Sequence, residues 1–129
     1  MAAIYPKAKE QFMKSLLNLT SATVNAVLLK NTYTYSATHT SVSASIGATF
    51  QASSAIALTG TSVSTDGVFD ATDPTFVAVA SGSTVNAVLI YSGDIPIAYL
   101  DSGVGVPFAT SGADVTITFS NGADKVFRL

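Results

Sequence analysis

Residues 84–100 read TVNAVLIYSGDIPIAYL, two apolar runs around a Gly-Asp turn, which is the pattern of a buried β-hairpin. The first arm, Thr84 to Tyr91, is the candidate central strand of the fold. Pro96, near the start of the second arm, has no N–H to give to a ladder. That arm is therefore expected to have an edge there, or to begin its pairing after it, and to face a neighbouring subunit. Thr84 to Leu89 also repeats Thr23 to Leu28 letter for letter, while the flanking residues do not continue the match. Two readings follow: an internal duplication, or two similar core strands written in a limited alphabet.

Outward from the hairpin, one helix and many short strands are predicted. Pro6 followed by Lys7 to Leu17 is helical, with Pro in the first turn and Phe12, Leu16, Met13 and Leu17 toward one face. Phe12 and Leu16 are expected to pack on a sheet, Lys7, Lys9 and Lys14 to line the opposite face, and Asn18 to end the helix. Strands begin at about residue 23. Thr23 to Leu29 is apolar, and Asn31 to Tyr35 alternates so that Tyr33 and Tyr35 share a face. Residues 36–48, SATHTSVSASIGA, read as a long surface loop or edge ribbon facing solvent. Phe50 to Leu58 and Thr61 to Thr65 are modest strands, the latter running into the Asp66-Gly67 turn, and Thr75 to Ala80 is strongly apolar. Gly103, Gly105 and Pro107 mark a loop. Beyond it Val115, Ile117 and Phe119 alternate with Thr116, Thr118 and Ser120, and Asn121-Gly122 turns this strand into a final hairpin with Lys125 to Leu129. The expectation is a mainly β single domain over residues 1–129: an antiparallel β-sandwich or partly closed barrel with one short N-terminal helix.

Charged residues are 11% of the chain and hydrophobic ones 48%, with mean hydropathy +0.45. That is apolar for a chain that must stay soluble alone. Either Ser and Thr coat the surface or partners cover much of it, and both are expected. Cysteine is absent, which suits folding in a reducing compartment. No apolar run approaches the ~20 residues of a membrane span. The opening MAAIYPKAKEQFMK is not expected to be a signal peptide, since Pro and Lys stand where an apolar stretch would lie. Net charge is +3 over residues 1–30, −7 over 31–124 and +2 over the last five. Should the termini meet, the molecule has a basic pole, with Lys7, Lys9, Lys14 and Arg128 as candidate docking or oligomer contacts, and an acidic body.

Chemistry is sparse. His39 is the only histidine, lies in the Ser- and Thr-rich segment and has no G-x-S-x-G partner motif, so a solvated loop residue is expected. Asp66, Asp70 and Asp73 are the nearest approach to a calcium site, but Asp beside Gly or Pro is ordinary turn chemistry. The basic-free interval disfavours direct contact with nucleic acid. No enzyme, cofactor or metal is expected. Tyr33 and Tyr35 are candidate surface aromatic contacts, for which core packing is the competing reading.

AIYPKAKEQF, NLTSATVNAVLL, YTYSATH, DGVFDATDPTF and NGADKVFRL, taken in order, resemble a family of small tailed-bacteriophage proteins that are virion structural components. The resemblance covers most of the chain and departs most over residues 36–64. It implies a structural role in the virion, assembled in the host cytoplasm, with the major capsid protein and other virion proteins as partners and a homo-oligomer as the expected state. It implies no catalytic residues. A capsid decoration or cement protein is the leading expectation. The rivals are a head-to-tail, tail or fibre component and a glycan- or host-surface-binding β-sandwich.

Overall fold

In the computed structural model, which describes residues 2–120, 122 and 125–129, the two copies of TVNAVL lie on neighbouring strands. β2 (Asn25–Lys30) and β7 (Thr84–Ser92) run antiparallel, with Val27 opposite Leu89 and Leu28 opposite Val88. Residues directly opposite share a face of the sheet. Val27 therefore lies with Leu89, and Ala26, Val27 and Leu28 face the opposite way from their counterparts Ala87, Val88 and Leu89. A two-fold through the sheet would keep each letter on its own face, so no such two-fold relates the two copies, which are neighbouring core strands. One six-letter word serves in both phases because both faces of this sheet are buried. Leu28 and Val88 belong to one interior cluster, Val27 and Leu89 to another.

The hairpin forms as expected. β8 (Ile95–Leu100) pairs with β7, which is central, and β1 (Ala2–Ile4), β3 (Ile56–Ala57) and β9 (Phe108–Ala109) complete a six-stranded sheet ordered β1-β8-β7-β2-β3, with β9 also on β7. The ladder shifts register between Ile90 and Tyr91, where Pro96 sits opposite Tyr91, so the missing N–H falls at an irregularity. The second arm is covered within the chain itself: β1 pairs with Ala98 to Leu100, and Pro96 to Leu100 are all buried.

Over one face lie two small sheets. β6 (Thr75–Phe76) pairs with β10 (Val115–Thr116), while β5 (Val68–Asp70) sits between β4 (Ser62–Val63) and β11 (Phe127–Arg128). The Asp66-Gly67 turn joins β4 to β5 as predicted. Three expectations change here. The chain end is tied into a sheet, but through β5, with Phe127 opposite Phe69, rather than in a hairpin with residues 115–120; Asn121 lies outside the described residues. Ile117 and Phe119 are buried as the alternation requires, yet only two residues enter the ladder: the Ile117 N–H goes to the Pro74 carbonyl and the Phe119 N–H to Asp73 Oδ1 at 2.8 Å. The run Thr75 to Ala80 leaves the regular ladder after Phe76, because Ala78 turns to φ +48 with its N–H on Asp114 Oδ1, which leaves Val77 75% exposed before Val79 bonds the backbone of Gly112 and Ala113.

The second face is covered by residues 31–51, expected as a strand followed by a solvent-facing loop. Residues 31–35 are turn and irregular chain, and the following segment folds back over the sheet, burying Tyr33, Val42 and Ile46. A one-turn helix, α2 (Val42–Ser45), forms there with Ser41 as its N-cap. Asp94, in the β7–β8 turn, accepts the Ser43 N–H at 2.8 Å and the Ser41 hydroxyl, which pins the segment to the hairpin tip. The sheets do not close into a barrel; the architecture is mainly β, antiparallel and sandwich-like, with one short N-terminal helix. The accessible surface of 6376 Å² is close to the roughly 6,400 Å² typical of a globular chain of this mass. The apolar excess of the composition thus goes largely into two interiors.

Candidate functional site

α1 (Pro6–Met13) is shorter than the predicted 7–17, and the way it ends creates the most unusual surface of the protein. Ala8 is fully buried and Phe12, one turn on, packs against the core. At Ser15 the chain turns left-handed, φ +57; the Ser15 N–H bonds the Phe12 carbonyl and the Leu16 N–H the Gln11 carbonyl at 2.9 Å. These are the two bonds of a Schellman stop, here with Ser where Gly is usual. Leu16 therefore leaves the helix and stands 66% exposed, against the expectation that it packs with Phe12. Asn18 caps the turn that follows, its Oδ1 taking the Thr20 N–H at 3.0 Å. Ser15→Gly is expected to stabilise the protein by about 0.5–1 kcal/mol, measured by urea unfolding, because the left-handed region is costly for a residue with a Cβ.

Among the described residues, three of the five exposed large apolar side chains, Met13, Val63 and Leu129, line adjoining grooves around α1 and β11, and Leu16 is exposed just past the end of α1. Three adjoining grooves run across this face. One lies between Phe12, Leu17, Val63 and Leu129; the next, about 410 Å³, between Ile4, Lys9, Phe12, Met13 and Arg128; the third between Pro6, Lys9, Met13 and Lys14. The two ends of the chain do meet, and Lys9 and Arg128 flank the same groove. Lys7 and Lys14 are placed differently: both reach Glu10, at 2.6 and 3.7 Å, and the Lys7 hydrogen bond with both lysine charges holds its carboxyl below the usual range. Exposed pairs of this kind contribute little to stability. Their effect is to neutralise Glu10, so that the margin of the apolar face is basic.

The other candidate residues lie elsewhere. Tyr33 is not a surface contact: it is 4% exposed, with its ring 5.6 Å from Phe50 and 5.9 Å from Tyr99. Tyr35 is half-buried, 4.8 Å from the Tyr5 ring and 5.5 Å from Tyr99. Aromatic spacing in the sequence cannot tell a core cluster from a platform, and burial decides for the core. His39 is half-buried rather than simply solvated. Its Nδ1 lies 2.6 Å from the Tyr33 hydroxyl, which in turn lies 2.8 Å from the Tyr5 hydroxyl. Tyr33→Phe removes the partner of the fully buried Tyr5 hydroxyl and is expected to cost about 1–3 kcal/mol. Tyr5→Phe with Tyr33→Phe should cost less than the two single changes together, which a double-mutant cycle reads directly.

Burial pushes the phenols of Tyr5, Tyr33, Tyr91 and Tyr99 upward. A raised pKa means that the unfolded chain loses these protons first. Stability is therefore complete below the ordinary tyrosine value of about 10 and is lost as pH climbs through the folded values. Unfolding free energies measured on either side of that pH are expected to fall on the alkaline side.

Asp66, Asp70 and Asp73 are not gathered into a cage. Asp66 accepts the Ser64 hydroxyl, Asp70 the Ala71 N–H at 2.9 Å and Asp73 the Phe119 N–H. No group of three possible metal ligands occurs among the described residues. No family model, curated protein or solved structure matches this chain. The α1/β11 face, apolar with a basic margin, is thus the candidate site on its geometry alone.

Proposed function

We propose that this chain is a structural subunit of a tailed-phage virion, assembled in the host cytoplasm, and by preference a capsid decoration protein present in many copies on the shell formed by the major capsid protein. The α1/β11 face is its contact surface. The observation that carries this reading is the gathering of Met13, Val63 and Leu129 along adjoining grooves of one face, with Lys9 and Arg128 at the groove between Met13 and Leu129. Isolated exposed apolar side chains are ordinary, but a contiguous patch with a polar rim marks an interaction surface. The family resemblance of the sequence and the low charge of the whole chain point the same way. Burial of Tyr33 weighs against a glycan platform built on Tyr33 and Tyr35. Mass spectrometry of purified particles tests the reading: the chain should be present, at hundreds of copies for a shell component or at most a few tens for a neck or tail component. Particles without it would exclude the virion role.

A further inference from the structure

The exposed apolar side chains mark two places at opposite edges of the main sheet. α1 follows the edge strand β1 and packs on β8, and it carries Met13, 87% exposed. The fifth large apolar side chain, Val77, is 75% exposed and borders a groove of about 430 Å³ shared with Phe76, Val79 and Ala52 and with Ile56 of β3, the strand at the other edge. One edge presents the protruding Met13 and the other a groove of mixed lining, with Ser53 and Ser54 beside its apolar side chains.

The two edges also differ in charge. Lys9 flanks Met13 at the first, where Lys7 and Lys14 offset Glu10. The second falls wholly within residues 31–124, which contain no Lys or Arg, and exposed Asp114 stands beside it, accepting the Ala78 N–H at 2.8 Å. Opposite charge across a contact guides partner and register.

We propose that the occupant of the α1/β11 face is a second copy of this chain, docked head to tail. Met13 of one copy sits in the groove beside β3 of the next, and Lys9 faces its Asp114. This rests on the reading that the face serves assembly, and it names the partner. Because the two surfaces differ, the contact is heterologous and repeats into a ring or a filament. A stable interface needs roughly 800 Å² from each partner, about one-eighth of the 6376 Å² that the chain exposes. A shell protein or an anionic membrane would use the α1/β11 face alone. A second copy uses both edges.

Sedimentation velocity of the full chain from micromolar to submillimolar concentration provides the test. The wild type should form a series of multimers, weakened by salt. Met13→Glu and Val77→Asp should each weaken self-association about tenfold or more, since each removes an apolar anchor from one surface. Both side chains stand in solvent, so Tm should move by no more than about 4 °C. An equimolar mixture of the two variants retains one intact surface of each kind, so it should give a one-to-one dimer and nothing longer. A wild type that stays monomeric, a Val77→Asp variant that associates like the wild type, or a mixture without dimer would overturn the inference. Particles containing a monomeric chain would overturn it while leaving the virion reading standing. A self-associating chain missing from particles would do the reverse.

Discussion

Phe127→Ala is expected to lower the unfolding free energy by about 3–5 kcal/mol, a large share of the 5–15 kcal/mol typical of a domain. The reason is how little else holds the last strand. β11 contributes two residues to its ladder, helped by the Val126 N–H on the Phe69 carbonyl and the Leu129 N–H on Gly67 at 3.0 Å. Its main anchor is the ring of Phe127, 1% exposed and stacked on Phe69 with centroids 5.1 Å apart. Removing that ring forfeits its buried area, the aromatic pair and the packing of a closed interior. Local loosening should accompany the global loss: amide exchange at residues 126–129 should quicken more than at β7, and carboxypeptidase should attack the chain end. Loss below about 1 kcal/mol would mean that the C-terminal strand is not a working part of the core. Because Arg128 and Leu129 border the candidate contact face, the same variant should also weaken self-association.

The second large effect is expected at the centre of the main sheet. Leu89→Ala should cost about 2–5 kcal/mol, toward the upper end, because the site cannot collapse. Leu89 is fully buried on β7, with Val27 opposite on β2 and Tyr99 opposite on β8, so strands on both sides hold the walls of the cavity apart. Urea unfolding should show a lower midpoint with an unchanged slope. Leu16→Ala is the control: the same chemical change at a side chain 66% exposed should stay within about 0.5 kcal/mol. Equal losses at the two sites would contradict the placement of either the core or the exposed face.

Alternation and apolar runs made the central hairpin legible, because a strand buried on both faces needs apolar residues in both phases, and TVNAVLIY has them. The Asp66-Gly67 turn was legible for its own backbone chemistry. Local pattern misled where a single backbone angle overruled periodicity. Leu16 keeps helical spacing from Phe12, but the left-handed turn at Ser15 moves it off the helix. Val77 sits in an apolar run, but the turn at Ala78 puts it in solvent. Neither residue is Gly or Asn, so neither carries the usual mark of such a turn. Both errors fall on exposed apolar side chains, which is why the candidate surface was visible in its lysines and not in its shape.

What the sequence determined by itself is the β class, the early helix, the central hairpin and the separation of basic ends from an acidic body, since each depends on composition or on near neighbours along the chain. Tertiary structure alone decided which strands pair at long range, that residues 31–51 close a second interior, and that the basic ends share one groove with Met13 and Leu129. Those outcomes depend on contacts between residues far apart in sequence, where loop closure and burial compete among many pairings and local preference is silent.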